Sequence, residues 1–219
     1  MKNPIGYIIK DPGGETIQGG FGELYDYIWA KNGVFIEAEN QHLSARIPVA
    51  VGVTRGLADL KMGVTLKHGK IPQRYFDCIL DDMLLTPKEE AYYAIVWEEE
   101  RYKIKKPAQA AGADKVTYEQ LDNVVLEIHS HGDHSYQFSN QDDADELGLK
   151  VYGVVGLLTH QYPCALLRAG VYGYFYFIDW EHVFEGESTR VNWQFAPPDS
   201  INEIAANIKD YWKHLGNAD

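Results

Sequence analysis

Three histidines and three aspartates fall within one short stretch, Glu127 to Asp143, reading EIHSHGDHSYQFSNQDD. The apolar run Val124-Val125-Leu126 leads into it. β-Branched residues and leucine in such a run predict a strand buried on both faces. If the strand continues through His131, then Glu127, His129 and His131 share a face, because strand side chains alternate with period two. His129 and His131 can then aim both imidazoles at one point, which is half of a tetrahedral zinc shell.

The spacing continues beyond the histidines. Seven residues separate His131 from Ser139, and two more separate Ser139 from Asp142, giving H-x-H-x7-S-x2-D. This pattern resembles the JAMM (MPN+, JAB-domain) metalloprotease motif, with every motif residue present. The resemblance implies one zinc per chain, held by His129, His131 and Asp142, with Ser139 beside it as hydrogen-bond donor to the tetrahedral intermediate. An upstream glutamate serves as general base in that family. A strand, a helix and an acidic residue opening a second strand precede the motif here, which makes Glu90 the first choice and Glu89 the alternative. Asp143 and Glu127 are placed to orient an imidazole. One position departs from the family pattern: Gly132 stands where most members carry proline, which predicts a looser turn without loss of a ligand.

The resemblance spans roughly residues 62–185 and implies an MPN/JAB-like α/β (α+β) fold, a mixed sheet flanked by helices. HSHG, FSNQDDADE and VVG resemble more narrowly the PRTRC-type bacterial members, which are encoded beside ubiquitin-like proteins and their activating enzymes. The implied substrate is therefore the C-terminal tail of a ubiquitin-like protein or its conjugate. A ubiquitin-activating-like enzyme of the same system is an implied companion.

The same residues support a rival reading. His129-Ser130-His131-Gly132-Asp133-His134 also fits H-x-H-x-D-H, the zinc motif of metallo-β-lactamase-fold hydrolases. That reading needs further ligands downstream, where His160 and His182 lack a fitting context, and it leaves Ser139 and Asp142 unexplained. A third reading keeps the scaffold as a catalytically silent MPN-like binding module. A polar surface loop without metal is the plainest alternative, and the correctly spaced Ser139 and Asp142 weigh against it.

Elements that position these residues can be read from periodicity. Residues 1–60 read as a β-rich extension. Tyr25–Ala30 and Val34–Glu39 flank Lys31-Asn32-Gly33, a strong hairpin signal, and Leu43–Val53 holds another strand, with Pro48 either at an edge or starting a new piece. Gly20-Phe21-Gly22 lacks the Lys-Ser/Thr and helix of a phosphate loop and reads as a turn. Residues 61–190 form the metalloprotease-like unit. Met62–His68 reads as a strand, and Tyr75, Phe76, Ile79, Leu80, Met83 and Leu84 recur at helical spacing. A strand at Ala91–Trp97 ends in the solvated hairpin Glu98–Glu100. Lys103–Asp114 reads as a loop, and Val116–Asn123 as weakly helical or a turn. A short helix is predicted over Asp143–Leu147, its acidic residues suiting the positive end of the helix dipole. A strand over Val151–Leu158 and a hairpin turning at Gly170 follow. Tyr172, Tyr174 and Tyr176 line one face, either packing on the N-terminal segment or forming a groove for an extended peptide. Residues 191–219 form a tail, with the capping box Ser200-x-x-Glu203 and a C-terminal helix lined by Ile201, Ile204, Ile208, Tyr211 and Trp212.

Composition narrows the function classes. Forty-five per cent of the 219 residues are hydrophobic, enough for a sizeable core, and 15 Tyr with 5 Trp suit β-structure. A formal net charge of -12 argues against nucleic acid and against anionic lipid, both of which favour a basic surface. The two cysteines, Cys78 and Cys164, form no metal or redox pair and no disulfide framework, with Cys78 expected to be buried in the helix. No apolar leader or 18-residue apolar run is seen, so the expected location is cytoplasmic.

Overall fold

The computed structural model of the protein describes residues 3–107, 109–111, 116–118 and 121–193. Its fold is α+β: two large sheets with short helices against them. The first sheet is built from β1 (Ile5–Lys10), β2 (Thr16–Gly20), β3 (Tyr25–Ala30), β4 (Gly33–Glu39), β5 (Leu43–Val51) and β6 (Gly63–Leu66), in the spatial order β2-β1-β3-β4-β5-β6. β1 and β3 are parallel, and the remaining neighbours are antiparallel. The β3–β4 hairpin turns through Lys31-Asn32 and enters β4 at Gly33, whose φ of 144° suits glycine. Pro48 lies in β5 beyond the reach of β6, which pairs only Leu43–Arg46, so its missing N–H costs no ladder bond on that side. The strand expected at Met62–His68 is β6, and it closes the edge of this first sheet rather than opening the following unit.

Then come β7 (Ile71–Pro72), α1 (Arg74–Met83), β8 (Tyr92–Glu98), β9 (Arg101–Lys105), β10 (Gln109–Ala111), β11 (Val116–Tyr118), β12 (Val124–Ser130), α2 (Asn140–Asp145), β13 (Lys150–Gly156), β14 (Cys164–Val171), β15 (Tyr174–Phe177), a 3-10 turn at Trp180–His182, β16 (Phe184–Glu185) and β17 (Asn192–Trp193). The second sheet runs β15-β14-β13-β12-β8-β9, with β17 added alongside β14. β12 and β13 are parallel in it. β10 and β11 form a separate hairpin.

Three expectations are corrected. The loop expected from Lys103 begins later, because β9 continues to Lys105 in register with β8, and β10 and β11 pair within the segment beyond. The hairpin turn is at Tyr172-Gly173, both at positive φ, not at Gly170. Gly170 is mid-strand because the Tyr152 ring lies where its Cβ would be, 2.4 Å away. Cys78 lies on the exposed face of α1, since the buried stripe is Phe76, Ile79, Leu80 and Met83. The C-terminal helix and its capping box at Ser200 lie outside the described residues.

One core joins the two sheets. Ile36, Ala38, Leu43, Ala45 and Ile47 of the first pack in a single cluster with Leu167, Ala169 and Val171 of the second, and with the buried stripe of α1. At the rim, Tyr25 stacks on Tyr172 at 5.3 Å between centroids, and the Tyr27 and Tyr174 hydroxyls share a hydrogen bond of 2.6 Å. The tyrosines after β14 thus pack on the N-terminal segment. Among the described residues no helix is long and apolar enough to cross a membrane.

Candidate metal centre

Alternation along β12 sends Leu126, Ile128 and Ser130 to the core side and Glu127 and His129 to the other, with His131 just past the strand end. The face bearing His129 continues through Tyr152 on β13 and Arg168 on β14, which pair across the sheet, to Phe177 on β15. α2 lies over this face. Its N-cap is Ser139, three residues earlier than expected from the acidic run alone. Ser139 Oγ accepts from the Asp142 amide at 3.2 Å, and the Ser139 amide donates to Asp142 Oδ2 at 2.6 Å. This reciprocal capping box leaves the Ser139 hydroxyl proton free to donate, and it fixes Asp142 facing β12.

The chain leaves β12 through a turn at Gly132 with φ +57°, which proline cannot adopt. A Cβ there would also come within 3.2 Å of the Lys88 carbonyl. The turn is tight rather than loose. It is held by His134 N–H to His131 O at 3.0 Å, Leu157 N–H to His134 O at 3.0 Å and Leu158 N–H to Gly132 O at 3.1 Å.

These elements bring His129, His131 and Asp142 together, with one ligand atom of each within 4.8 Å of the others. The two Nε2 atoms are 3.0 Å apart. Asp142 Oδ1 is 3.2 Å from His129 Nε2, and Oδ2 is 3.4 Å from His131 Nε2. Ligand atoms on a tetrahedral zinc with bonds of about 2.0–2.1 Å stand about 3.3 Å apart, so the two imidazoles and the carboxylate, which spans them through its two oxygens, stand near the separations that ion needs. His131 Nδ1 donates to Ser135 O at 3.0 Å, which leaves its Nε2 for the shared point. The Asp142 hydrogen bond raises the His131 pKa above the ordinary imidazole value, against burial. Burial alone would raise the Asp142 carboxyl, but the two imidazoles win and hold it well below the carboxylate range.

Glu89 and Glu90 sit in the exposed turn before β8. That turn is tied to the motif strand by Ser130, which the sequence reading passed over. Its buried hydroxyl accepts from Ala91 N–H at 3.0 Å and donates to Glu89 O at 3.3 Å, and its amide donates to Ala91 O at 2.8 Å. Glu90 is among the charges that raise His131.

Asp133 points away from the cluster and accepts from the Thr159 amide at 3.3 Å and from its hydroxyl. Neither Asp133 nor His134 belongs to the group able to hold a metal, as the H-x-H-x-D-H reading requires. Nor do Glu127 and Asp143 lie behind the imidazoles. Glu127 pairs with Lys150 at 2.5 Å and Asp143 with Arg168. The carboxylate behind His129 is Glu146, with Oε1 3.8 Å from Nδ1. Burial pushes the Glu146 carboxyl up to about 8, against the pull of Arg168. Glu146 stands one helical turn beyond Asp142, and that spacing was the only signal of it in the sequence.

Residues 72–169, a little under half of the chain, match the family of prokaryotic homologs of the JAB domain. The match contains α1, the Glu89–Glu90 turn, β12, α2 and Arg168 of β14. No curated protein matches the chain. By this match, and by the H-x-H-x7-S-x2-D residues it encloses, residues 72–169 are similar to the prokaryotic JAB family.

Proposed function

We propose that this chain is a zinc-dependent peptidase or isopeptidase acting at the C-terminal tail of a ubiquitin-like protein, with a ubiquitin-activating-like enzyme as a companion. The observation that carries the metal part is the convergence of His129, His131 and Asp142 at the spacing of zinc ligands. The amide substrate follows from the family, whose motif the chain carries in full.

Zinc held by those three would leave one position open and would supply a Lewis acid that makes water acidic near pH 7. The remaining work falls to the chain. Glu90 would accept the proton of the attacking water and return it to the leaving amine. The assignment prefers Glu90 to Glu89 because Glu90 is the one whose charge acts on His131. Ser139 would donate its spare hydroxyl proton to the developing oxyanion, an interaction worth roughly 3 to 4 kcal/mol in other hydrolases.

Metal content per chain tests the proposal first, on wild type and on Asp142→Ala purified without chelator. One zinc in the wild type and little in the variant are expected. Cleavage of ubiquitin-like precursors is then followed with Glu90→Gln and Glu89→Gln. Glu90→Gln should keep its zinc and lose activity by about 100-fold or more, the contribution of a positioned base, while Glu89→Gln stays active. A zinc-loaded wild type that binds such a protein without cleaving it would make the chain a binding module. Two metals per chain, kept in Asp142→Ala and lost in Asp133→Ala, would overturn the site itself.

A further inference from the structure

Arg168 is 1% exposed, in the middle of β14, and its guanidinium is sandwiched. Its Cζ lies 3.8 Å from the Phe138 ring centroid and 3.8 Å from that of Phe175. Nε and Nη2 both donate to Glu146 Oε2, at 2.9 and 2.6 Å, and Nη1 donates to Asp143. A buried ion pair is a poor source of stability, because desolvation consumes most of the attraction. The arrangement needs another account, and its geometry supplies one.

With Oε2 committed to Arg168, Glu146 turns Oε1 toward His129 Nδ1 at 3.8 Å. The opposite nitrogen of that ring faces His131 and Asp142. Phe138 closes the side of the ring, 6.1 Å from it and edge-on. Glu146 is also tied to the ligand carboxylate's own backbone, donating its N–H to Asp142 O at 2.9 Å. α2 is thus anchored at its start by the Ser139 cap and at its end by Arg168, with Asp142 between.

We propose that Glu146, held in place by Arg168, is the positioning residue of the metal centre. Its Oε1 faces His129 Nδ1 across 3.8 Å, beyond hydrogen-bond length. As an acceptor there it favours the tautomer with the proton on Nδ1, which leaves Nε2 as a ligand, while the two bonds from Arg168 to Oε2 hold the carboxyl group in place. A ligand imidazole whose far nitrogen bonds a carboxylate is better oriented and more basic, and loss of such a partner typically costs about 10–100-fold in metal affinity. His131 has a backbone carbonyl, Ser135 O, in the same role. The inference rests on His129, His131 and Asp142 being a zinc site.

The test is zinc affinity, measured by competition with a chromophoric chelator, for wild type, Glu146→Gln and Glu146→Gln/Arg168→Met. The visible spectrum of bound cobalt and the melting temperature without metal are recorded for each. Glu146→Gln is expected to bind zinc about 10–100-fold more weakly and to shift the cobalt bands. The double variant removes both buried charges and should regain melting temperature while zinc affinity stays low. If Glu146→Gln keeps wild-type affinity and cobalt spectrum, the inference fails. It fails equally if affinity returns with stability in the double variant, since the pair would then be merely structural. A wild type that binds no zinc would sink the site reading and this inference with it, an outcome distinct from either.

Discussion

At the scale of single residues, the proton balance of Asp142 and His131 sets how the centre responds to pH. The folded protein raises the His131 pKa and depresses that of Asp142. A raised imidazole stabilises the metal-free fold below its unfolded value of about 6.5, and that stabilisation is lost as pH rises through the folded value. A depressed carboxylate stabilises it above about 3.9, with loss only as pH falls through the lower folded value. Metal binding has the opposite sign, because a ligand imidazole must be neutral. Acidification from pH 8 toward 6 should therefore raise the melting temperature of the metal-free protein while zinc affinity falls. The fall should begin above the ordinary imidazole range. Melting and chelator competition along one pH series check both, and parallel movement of the two curves would contradict the assignment. The candidate ligands were legible because they are local, their spacing set by one strand and one helical turn. Glu146 and Arg168 were not. Their partnership depends on β13 and β14 falling into register beside β12, which no local pattern encodes, and a lone arginine in an apolar run reads as an edge or an end.

At the scale of elements, the loop after β12 matters as much as the strand. Ser135 and Tyr136 pass directly over Gly156 at the end of β13. A Cβ on Gly156 would stand 2.5 Å from Ser135 O, 2.7 Å from its carbonyl carbon and 2.8 Å from the Tyr136 Cα. All three are backbone atoms, so no side chain can swing aside. Ser135 O is the acceptor that orients His131. Gly156→Ala should therefore displace that carbonyl, costing about 1–3 kcal/mol as overpacking does and weakening zinc binding by about 10–100-fold through His131. Gly153→Ala is the comparison, because the tight contacts of its Cβ would be with the Leu167 and Ile128 side chains, at 3.0 and 3.1 Å, and the backbone atom Glu127 O stands at an ordinary 3.7 Å. It should lower the melting temperature and leave zinc affinity unchanged. Equal zinc affinity in both variants would sever the carbonyl from the metal centre. Strong periodicity in the sequence marks α1, the β3–β4 hairpin and β8. It does not mark the extent of β9 or the start of α2. There the deciding facts are a partner strand and a capping hydroxyl rather than a run of like residues.

At the scale of the molecule, the face of β12–β14 opposite the metal centre is what binds the two sheets. Val151, Ala169 and Val171 point there, into the cluster that holds Ile36, Ala45 and Ile47. Ile47 is fully buried, and truncating it to alanine should cost about 2–5 kcal/mol. Because the cluster belongs to both sheets, that loss should lower one common transition. Far-ultraviolet dichroism reports both sheets, and tryptophan emission includes Trp29 of the first with Trp97 and Trp193 of the second. The two signals should fall together in wild type and in Ile47→Ala. The strands, not the loops, separate Ile47 from His129, so zinc affinity below the transition should be unchanged, and saturating zinc should raise the melting temperature of both proteins by linkage. Two separated transitions, with zinc moving only the later one, would mean that the first sheet is an independent lobe and that the shared cluster contributes little to the cohesion of the metal-binding half.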